Sequence, residues 1–196
     1  PVLEYREPFT FDCFDGDWCA RNRMNSSSGR LEAKHGGKVM FGAGFFVHTF
    51  NRLVSPTIKY SWQDFTPLGL IASQPLVLVT APKMGVKNTD EFIKLVKSNP
   101  GRFSYGSSGV GTSTHLWMEI FEDMTGTQFV HAPYRGEAAS VQDLVGGQIA
   151  AIFTTLSTAI PQARGGKIKI LGLVEAKRQP SVPNVPTIGE SVPGYA

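Results

Sequence analysis

Between Tyr105 and Met118 the chain reads Tyr-Gly-Ser-Ser-Gly-Val-Gly-Thr-Ser-Thr-His-Leu-Trp-Met, a glycine-rich turn set between a short apolar strand and a helix. The chemistry such a stretch offers is anion binding. Gly106, Gly109 and Gly111 can take positive φ and let the backbone come close to a ligand. Thr112 or Ser113 stands where the N-cap of the following helix belongs. The unpaired N–H groups of a helix's first turn carry partial positive charge, so a carboxylate or phosphate is held there without any lysine.

Spacing excludes three catalytic uses of the same turn. Gly106 to Ser113 fits G-x-x-x-x-G-x-S, but Thr112 stands where a phosphate-binding P-loop has its lysine. A dinucleotide fingerprint runs G-x-G-x-x-G and has an acid at the end of the next strand; here the order is G-x-x-G-x-G and that strand ends His131-Ala-Pro. A hydrolase elbow needs G-x-S-x-G, and neither Ser107 nor Ser108 has glycine on both sides at that spacing. The alternative to a ligand is structural, since glycine-rich strand-to-helix turns also serve tight packing alone.

Other candidates carry the same two readings. His115 falls in the helix's first turn and could reach an anion, or simply pack. Tyr134-Arg135 could clamp a carboxylate or be solvated, and Thr154-Thr155 could offer hydroxyls or only end a strand. Trp117 and Phe121 read as core rather than ligand-stacking residues. Cys13 and Cys19 with His35, His48, His115 and His131 give no spacing that completes a zinc site, so neither metal nor cofactor is expected, and the cysteines read as a local disulfide or two inert thiols.

The elements that must position the turn are legible from Pro75 onward. Pro75 to Thr80 is an apolar run of the kind a strand covered on both faces shows. Thr89 is expected to cap a helix with Phe92, Ile93, Leu95 and Val96 on its apolar face, stopped at Asn99-Pro-Gly101. Strands follow at 103–105, 128–131, 148–153 and 169–174, separated by helices at 112–124, 137–145 and 157–163. This alternation predicts βαβ units in a mostly parallel α/β sheet, which binds ligands beyond the carboxyl ends of its strands. Before Pro75 the reading is weaker: a strand broken by Gly42-Ala43-Gly44 within 39–47, a surface loop at 60–67 and a strand at 68–72. Residues 1–38 fit no template.

With 196 residues, 41% hydrophobic and 18% charged, the chain has ordinary globular composition. The net charge of +3 is small and the basic residues are scattered, which argues against nucleic acid. No apolar run reaches membrane-spanning length.

A series of motifs carries a family resemblance: Pro75-Leu-Val-Leu-Val, Lys97-Ser-Asn-Pro-Gly-Arg-Phe-Ser-Tyr-Gly-Ser-Ser-Gly-Val-Gly-Thr-Ser-Thr-His-Leu116, Val130-His-Ala-Pro-Tyr-Arg-Gly136, Asp143-Leu-Val-Gly-Gly-Gln148, Ala176 to Thr187, and Val192-Pro-Gly-Tyr195. From about residue 39 to 196 the chain resembles the Bug family, the solute receptors of tripartite tricarboxylate transporters. The resemblance implies a non-enzymatic, periplasmic-binding-protein-like α/β clamshell of two lobes with helices on both sheet faces. It would close on a small di- or tricarboxylate or amino-acid-like metabolite, act as a monomer in the periplasm and deliver the ligand to membrane permease subunits. Residues 75–172 would form the complete second lobe, and 1–74 with 173–196 an incomplete first lobe. Carried across, the ligand contacts implied are Ser107, Ser108, Gly109, Gly111, Thr112 and Thr154 from the second lobe, with Gly42 and Ala43 facing them.

Residues 7–38 depart from the pattern, lacking the glycine-rich loop, Ala-rich helix and Asp-Gly-Tyr-Thr turn of the resembled family. A shifted frame or replaced segment would account for this, and a remnant without transport activity is the alternative function. Thr154-Thr155 stands where many members have Asp-Asn, which bears on ligand preference. No signal peptide opens the sequence, so the chain as written is expected to stay cytoplasmic. A third alternative, an enzyme on an anionic substrate with His115 as base, predicts turnover lost in His115→Ala.

Overall fold

The computed structural model describes residues 74–195. The expectations for Gly42, Ala43, Cys13, Cys19 and the strands before Pro75 lie outside the described residues.

Five strands alternate with four helices: β1 Leu76–Thr80, α1 Thr89–Lys97, β2 Ser104–Ser107, α2 Ser113–Thr125, β3 Val130–Pro133, α3 Glu137–Val145, β4 Ala151–Thr155, α4 Leu156–Arg164 and β5 Lys169–Leu173. One-turn 3-10 helices follow β1 at Pro82–Met84 and β5 at Ile188–Glu190. The sheet order is β3-β2-β4-β1-β5. β2 pairs in parallel with both β3 and β4, as the βαβ reading anticipates. β1 runs against its neighbours and pairs antiparallel with β4 and β5. Four strands therefore share one direction and the fifth is reversed. An apolar run buried on both faces looks the same in either direction, so residue pattern alone does not reveal that reversal.

Side-chain alternation along the central strands builds two cores. Leu78 of β1 with Ala151 and Phe153 of β4 faces Phe92 and Val96 of α1 and Met118 and Phe121 of α2. Val77, Val79 and Ile152 face the other way, toward Val141 and Leu144 of α3 and Leu156 and Ala159 of α4. Fully burying an aromatic or aliphatic side chain of this kind contributes about 1.5–3 kcal/mol. The chain beyond β5 returns to the first core, where Ile188, Val192 and Tyr195 are buried and the Tyr195 hydroxyl donates to the Trp117 carbonyl at 2.7 Å.

Local signals set the ends. α1 is capped by Asn88, whose Oδ1 accepts from the Glu91 amide at 2.9 Å, while Glu91 Oε2 accepts from the Lys87 amide at 2.7 Å. The cap expected at Thr89 thus falls one residue earlier; the Thr89 hydroxyl instead donates to the Leu171 carbonyl at 3.2 Å and ties α1 to β5. Gly126, left-handed at φ 63°, ends α2.

Candidate functional site

Parallel pairing of β3, β2 and β4 brings the carboxyl ends of three strands to one edge of the sheet, and each runs directly into a helix. Ser107 of β2 lies opposite Pro133 of β3, and Gly106 lies opposite Ile152 of β4. Gly106 leaves room for its neighbours' side chains: a Cβ there would stand 2.7 Å from Ile149 Cδ1 and 3.1 Å from Ile152 and Tyr134, so these side chains would have to shift. Helices α2, α3 and α4 all start on this rim, behind Thr112, Gly136 and Thr155, and none is capped by its N-cap side chain. Three positive helix ends therefore meet at one sheet edge.

The turn from β2 to α2 holds itself in shape. Gly109 and Gly111 have φ of 130° and 79°. The Gly109 amide donates to Ser107 Oγ at 3.2 Å, the Ser108 amide to Thr114 Oγ1 at 2.9 Å, and the Thr112 hydroxyl to the Gly109 carbonyl at 2.7 Å. A long contact of 3.4 Å joins the Gly111 amide to His115 Nδ1. Thr112, the N-cap residue, thus spends its hydroxyl on the turn and leaves the first turn of α2 without a side-chain cap. Val110 projects from the tip, 74% exposed between two positive-φ glycines.

Behind the turn lies a stack of rings. His131 is 4.7 Å from the Tyr105 ring and 4.2 Å from the His115 ring, centroid to centroid. Its Nε2 is 2.7 Å from Ser107 Oγ, with donor and acceptor set by the tautomer. The Tyr105 hydroxyl donates to Glu119 Oε1 at 2.6 Å, and His115 Nε2 is 3.5 Å from the same oxygen. Burial, then the charge of His115, holds the His131 pKa below its ordinary value. Burial and the Glu119 carboxylate push the Tyr105 hydroxyl well above its own. Ser107 and His131 have the separation of a nucleophile and base, yet Ser107 is 1% exposed and cannot meet a substrate.

On the neighbouring strand the same edge carries a carboxylate. Glu137, first residue of α3, accepts through Oε1 from the Thr155 amide at 2.7 Å, from the Thr155 hydroxyl at 3.2 Å and from the Thr154 hydroxyl. Tyr134 donates to Asp143 at 2.7 Å, and burial followed by this partner raises its pKa to about 12.

The structure brings Ser107, Ser108, Gly109, Gly111 and Thr112 into one turn and places Thr154 on the adjacent strand, with its hydroxyl directed to Glu137. Thr114 and Glu137 join the site without having been singled out in the sequence, and His131, weighed there only as a metal ligand, joins it as the partner of Ser107. Thr114 carries a local signal, a hydroxyl two residues into a helix behind a glycine turn; His131 and Glu137 depend on strand register. Among the described residues no group of three or more His, Cys, Asp or Glu side chains could hold a metal ion.

A sheet edge lined with helix N-termini at the carboxyl ends of parallel strands, with helices over both faces, has the ligand-binding arrangement of an open α/β fold, and its likeness to solved periplasmic binding proteins places it in that class. The chain belongs to the tripartite tricarboxylate transporter receptor family, whose model matches residues 40–195, and the Bug resemblance is thereby borne out. Protein BugT of Bordetella pertussis is 32% identical over 136 residues, covering 69% of this chain and 42% of its own length. An R. palustris protein solved with adipate superposes at a TM-score of 0.65 with 34% identity, over 67% of this chain and 44% of that one. MatC from Rhodopseudomonas palustris, solved with malate, superposes at 0.65 with 27% identity, over 71% and 48%. The chain thus spans less than half the length of these relatives. The family is one of binding receptors rather than enzymes.

Proposed function

We propose that this chain is the ligand-gripping part of a receptor that captures a small carboxylate for a tripartite transporter. The observation that supports this reading is the self-braced turn from Ser107 to Thr112 at the head of α2, whose first turn no side chain caps. A ligand carboxylate at that helix end would be stabilised by the amides of the first turn and by small hydroxyls, with Ser108, Gly109, Gly111 and Thr112 as contacts and Ser107 holding the turn from beneath. Gly42 and Ala43 are the remaining proposed contacts, with Thr154, buried and bonded to Glu137, shaping the site from behind. Relatives that hold malate and adipate put small dicarboxylates first among the compounds to try. Residues 75–172 would form the second lobe, with 1–74 and 173–196 belonging to the first. In the whole receptor the ligand would pass to membrane permease subunits from the periplasm.

A thermal-shift titration of the purified chain against small mono-, di- and tricarboxylates tests the reading. A ligand at 100 times its Kd adds about 2.7 kcal/mol of stability. A saturable rise in melting temperature that disappears in Gly111→Leu supports it, and a cooperative melt indifferent to every acid refutes it.

A second reading, a remnant without transport activity, is favoured by one observation: the family match begins at residue 40 and leaves residues 7–38 outside it. Replacing residues 7–38 with the matching segment of a relative discriminates the two. A gain of ligand binding where there was none identifies the remnant; equal binding before and after the replacement rules it out.

A further inference from the structure

Two of the three helix ends on the rim differ in what already sits on them. The head of α2 has no carboxylate bonded to it, whereas the head of α4 has Glu137, whose Oε1 takes the Thr155 amide and both the Thr154 and Thr155 hydroxyls. Thr155 is held in turn by Thr158 at 2.9 Å and by Ser157 at 3.2 Å, so the donors around this carboxylate are arranged as a set. Glu137 reaches them from the first residue of α3, which follows β3, two strands away from β4 in the sheet order. Among the described residues no ion pair compensates its charge; the ion pairs there are His115 with Glu119 and Arg178 with Glu190.

The two positions are neighbours. Tyr105 pairs with Ala151 and Gly106 with Ile152 on strands about 4.8 Å apart, so the turn that starts after Ser107 and the end of β4 at Thr154 and Thr155 leave the sheet side by side. A ligand carboxylate at the turn would therefore have Glu137 within a few ångström of the rest of the molecule. Like charges that close disfavour each other, and the donors a second carboxylate would use are already taken.

We infer that Glu137 determines ligand class, by acting as a built-in carboxylate at the head of α4 that turns away a second ligand carboxylate and selects a ligand with one carboxylate and a neutral or cationic hydrogen-bond donor at its other end. The inference rests on the receptor reading above and narrows its substrate class. Glu137→Gln is the matching variant, because the amide keeps an acceptor for Thr155 and removes the charge.

Calorimetric titration of the wild type and Glu137→Gln with adipate, adipamate and ε-aminocaproate, and with succinate, succinamate and γ-aminobutyrate, reads the preference within each matched set. The wild type is expected to bind the monoamide or amino acid more tightly than the diacid. Glu137→Gln is expected to shift the ratio at least about fivefold toward the diacid, the effect of one like charge about 4 Å away even at the dielectric of bulk water. Binding with the ratio unchanged between the two proteins overturns the role of Glu137 and leaves the receptor reading standing. No binding of any of the six compounds to either protein overturns both. Should the Gln variant fail to melt cooperatively, Glu137→Ser is titrated in the same way and read by the same ratio.

Discussion

His115 and His131 stack with ring centroids 4.2 Å apart and planes inclined by 30°, directly behind the turn that carries Ser107 to Thr112. Two imidazoles so close cannot both be charged without repulsion, and His131 is also desolvated, so the folded chain favours its neutral form.

The pH dependence of stability follows from that. An unfolded histidine titrates near about 6.5, and a folded value below it means that the unfolded chain binds more protons in the window between the two. The contribution of His131 is fully present above about pH 6.5 and is lost as pH falls through its folded value. Glu122 and Glu175 have the opposite sign: burial raises their folded pKa, so their contribution is present at low pH and declines as pH rises. Melting curves of the wild type minus those of His131→Gln isolate the histidine. The difference should shrink steadily below about pH 6.5, and a flat difference would dismiss this account.

Gly106 is the tightest point of the rim. Alanine there drives a methyl against Ile149, Ile152 and Tyr134, and overpacking of this kind costs about 1–3 kcal/mol. Chemical denaturation of Gly106→Ala should show a lower midpoint with an unchanged slope. Gly111→Ala, strained by its φ of 79°, is expected to lose about 1–2 kcal/mol.

Thr114 braces the turn from inside the helix, accepting from the Ser108 amide at 2.9 Å while it sits 3.0 Å from the Thr112 hydroxyl. Thr114→Val keeps its shape and removes both bonds. Leaving the partners unpaired costs about 1–3 kcal/mol, and the affinity for any carboxylate the wild type binds should fall about tenfold. Equal affinity in the two proteins would show that the Thr114 brace plays no part in the grip.

Tyr195 tests whether the segment beyond β5 belongs to this core. It is buried, touches Trp117, Phe121 and Phe153, and donates to the Trp117 carbonyl. Tyr195→Phe should cost about 1 kcal/mol and Tyr195→Ala about 3–5, read from denaturant midpoints. Hydrogen exchange in α2 should quicken in the alanine variant.

How far residues alone disclose this arrangement depends on whether the cause is local. The glycine turn and the helices after it follow from capping, glycine and apolar spacing, all within a dozen residues. β2 runs on through Ser107, beyond the expected end at Tyr105, because Gly106 and Ser107 read as turn residues until β3 supplies a partner through Ser107 and Pro133. The cap of α1 moves to Asn88 because Glu91 lies three residues after it; both Asn88 and Thr89 suit the position, and only the reciprocal bond decides. Glu137 was invisible because its partners Thr154 and Thr155 lie seventeen and eighteen residues on, brought near only by the order of the strands.

The reversed strand in the middle of the sheet also dictates when the chain can fold. β1 is the first of these strands to be synthesised, yet both of its partners come last: Leu78 waits for Phe153 on one side and Gly172 on the other. Until β4 has left the ribosome, Val77, Leu78 and Val79 remain an unpaired apolar segment, while β2, β3 and their helices can already assemble nearby, and the other edge of β1 stays open until β5 follows. Closing such long-range ladders is entropically slow, and an exposed strand of this kind is prone to intermolecular pairing. The order in which these strands are made, with the central strand first and its partners last, thus leaves β1 as the segment of this sheet most exposed to mispairing before the core closes.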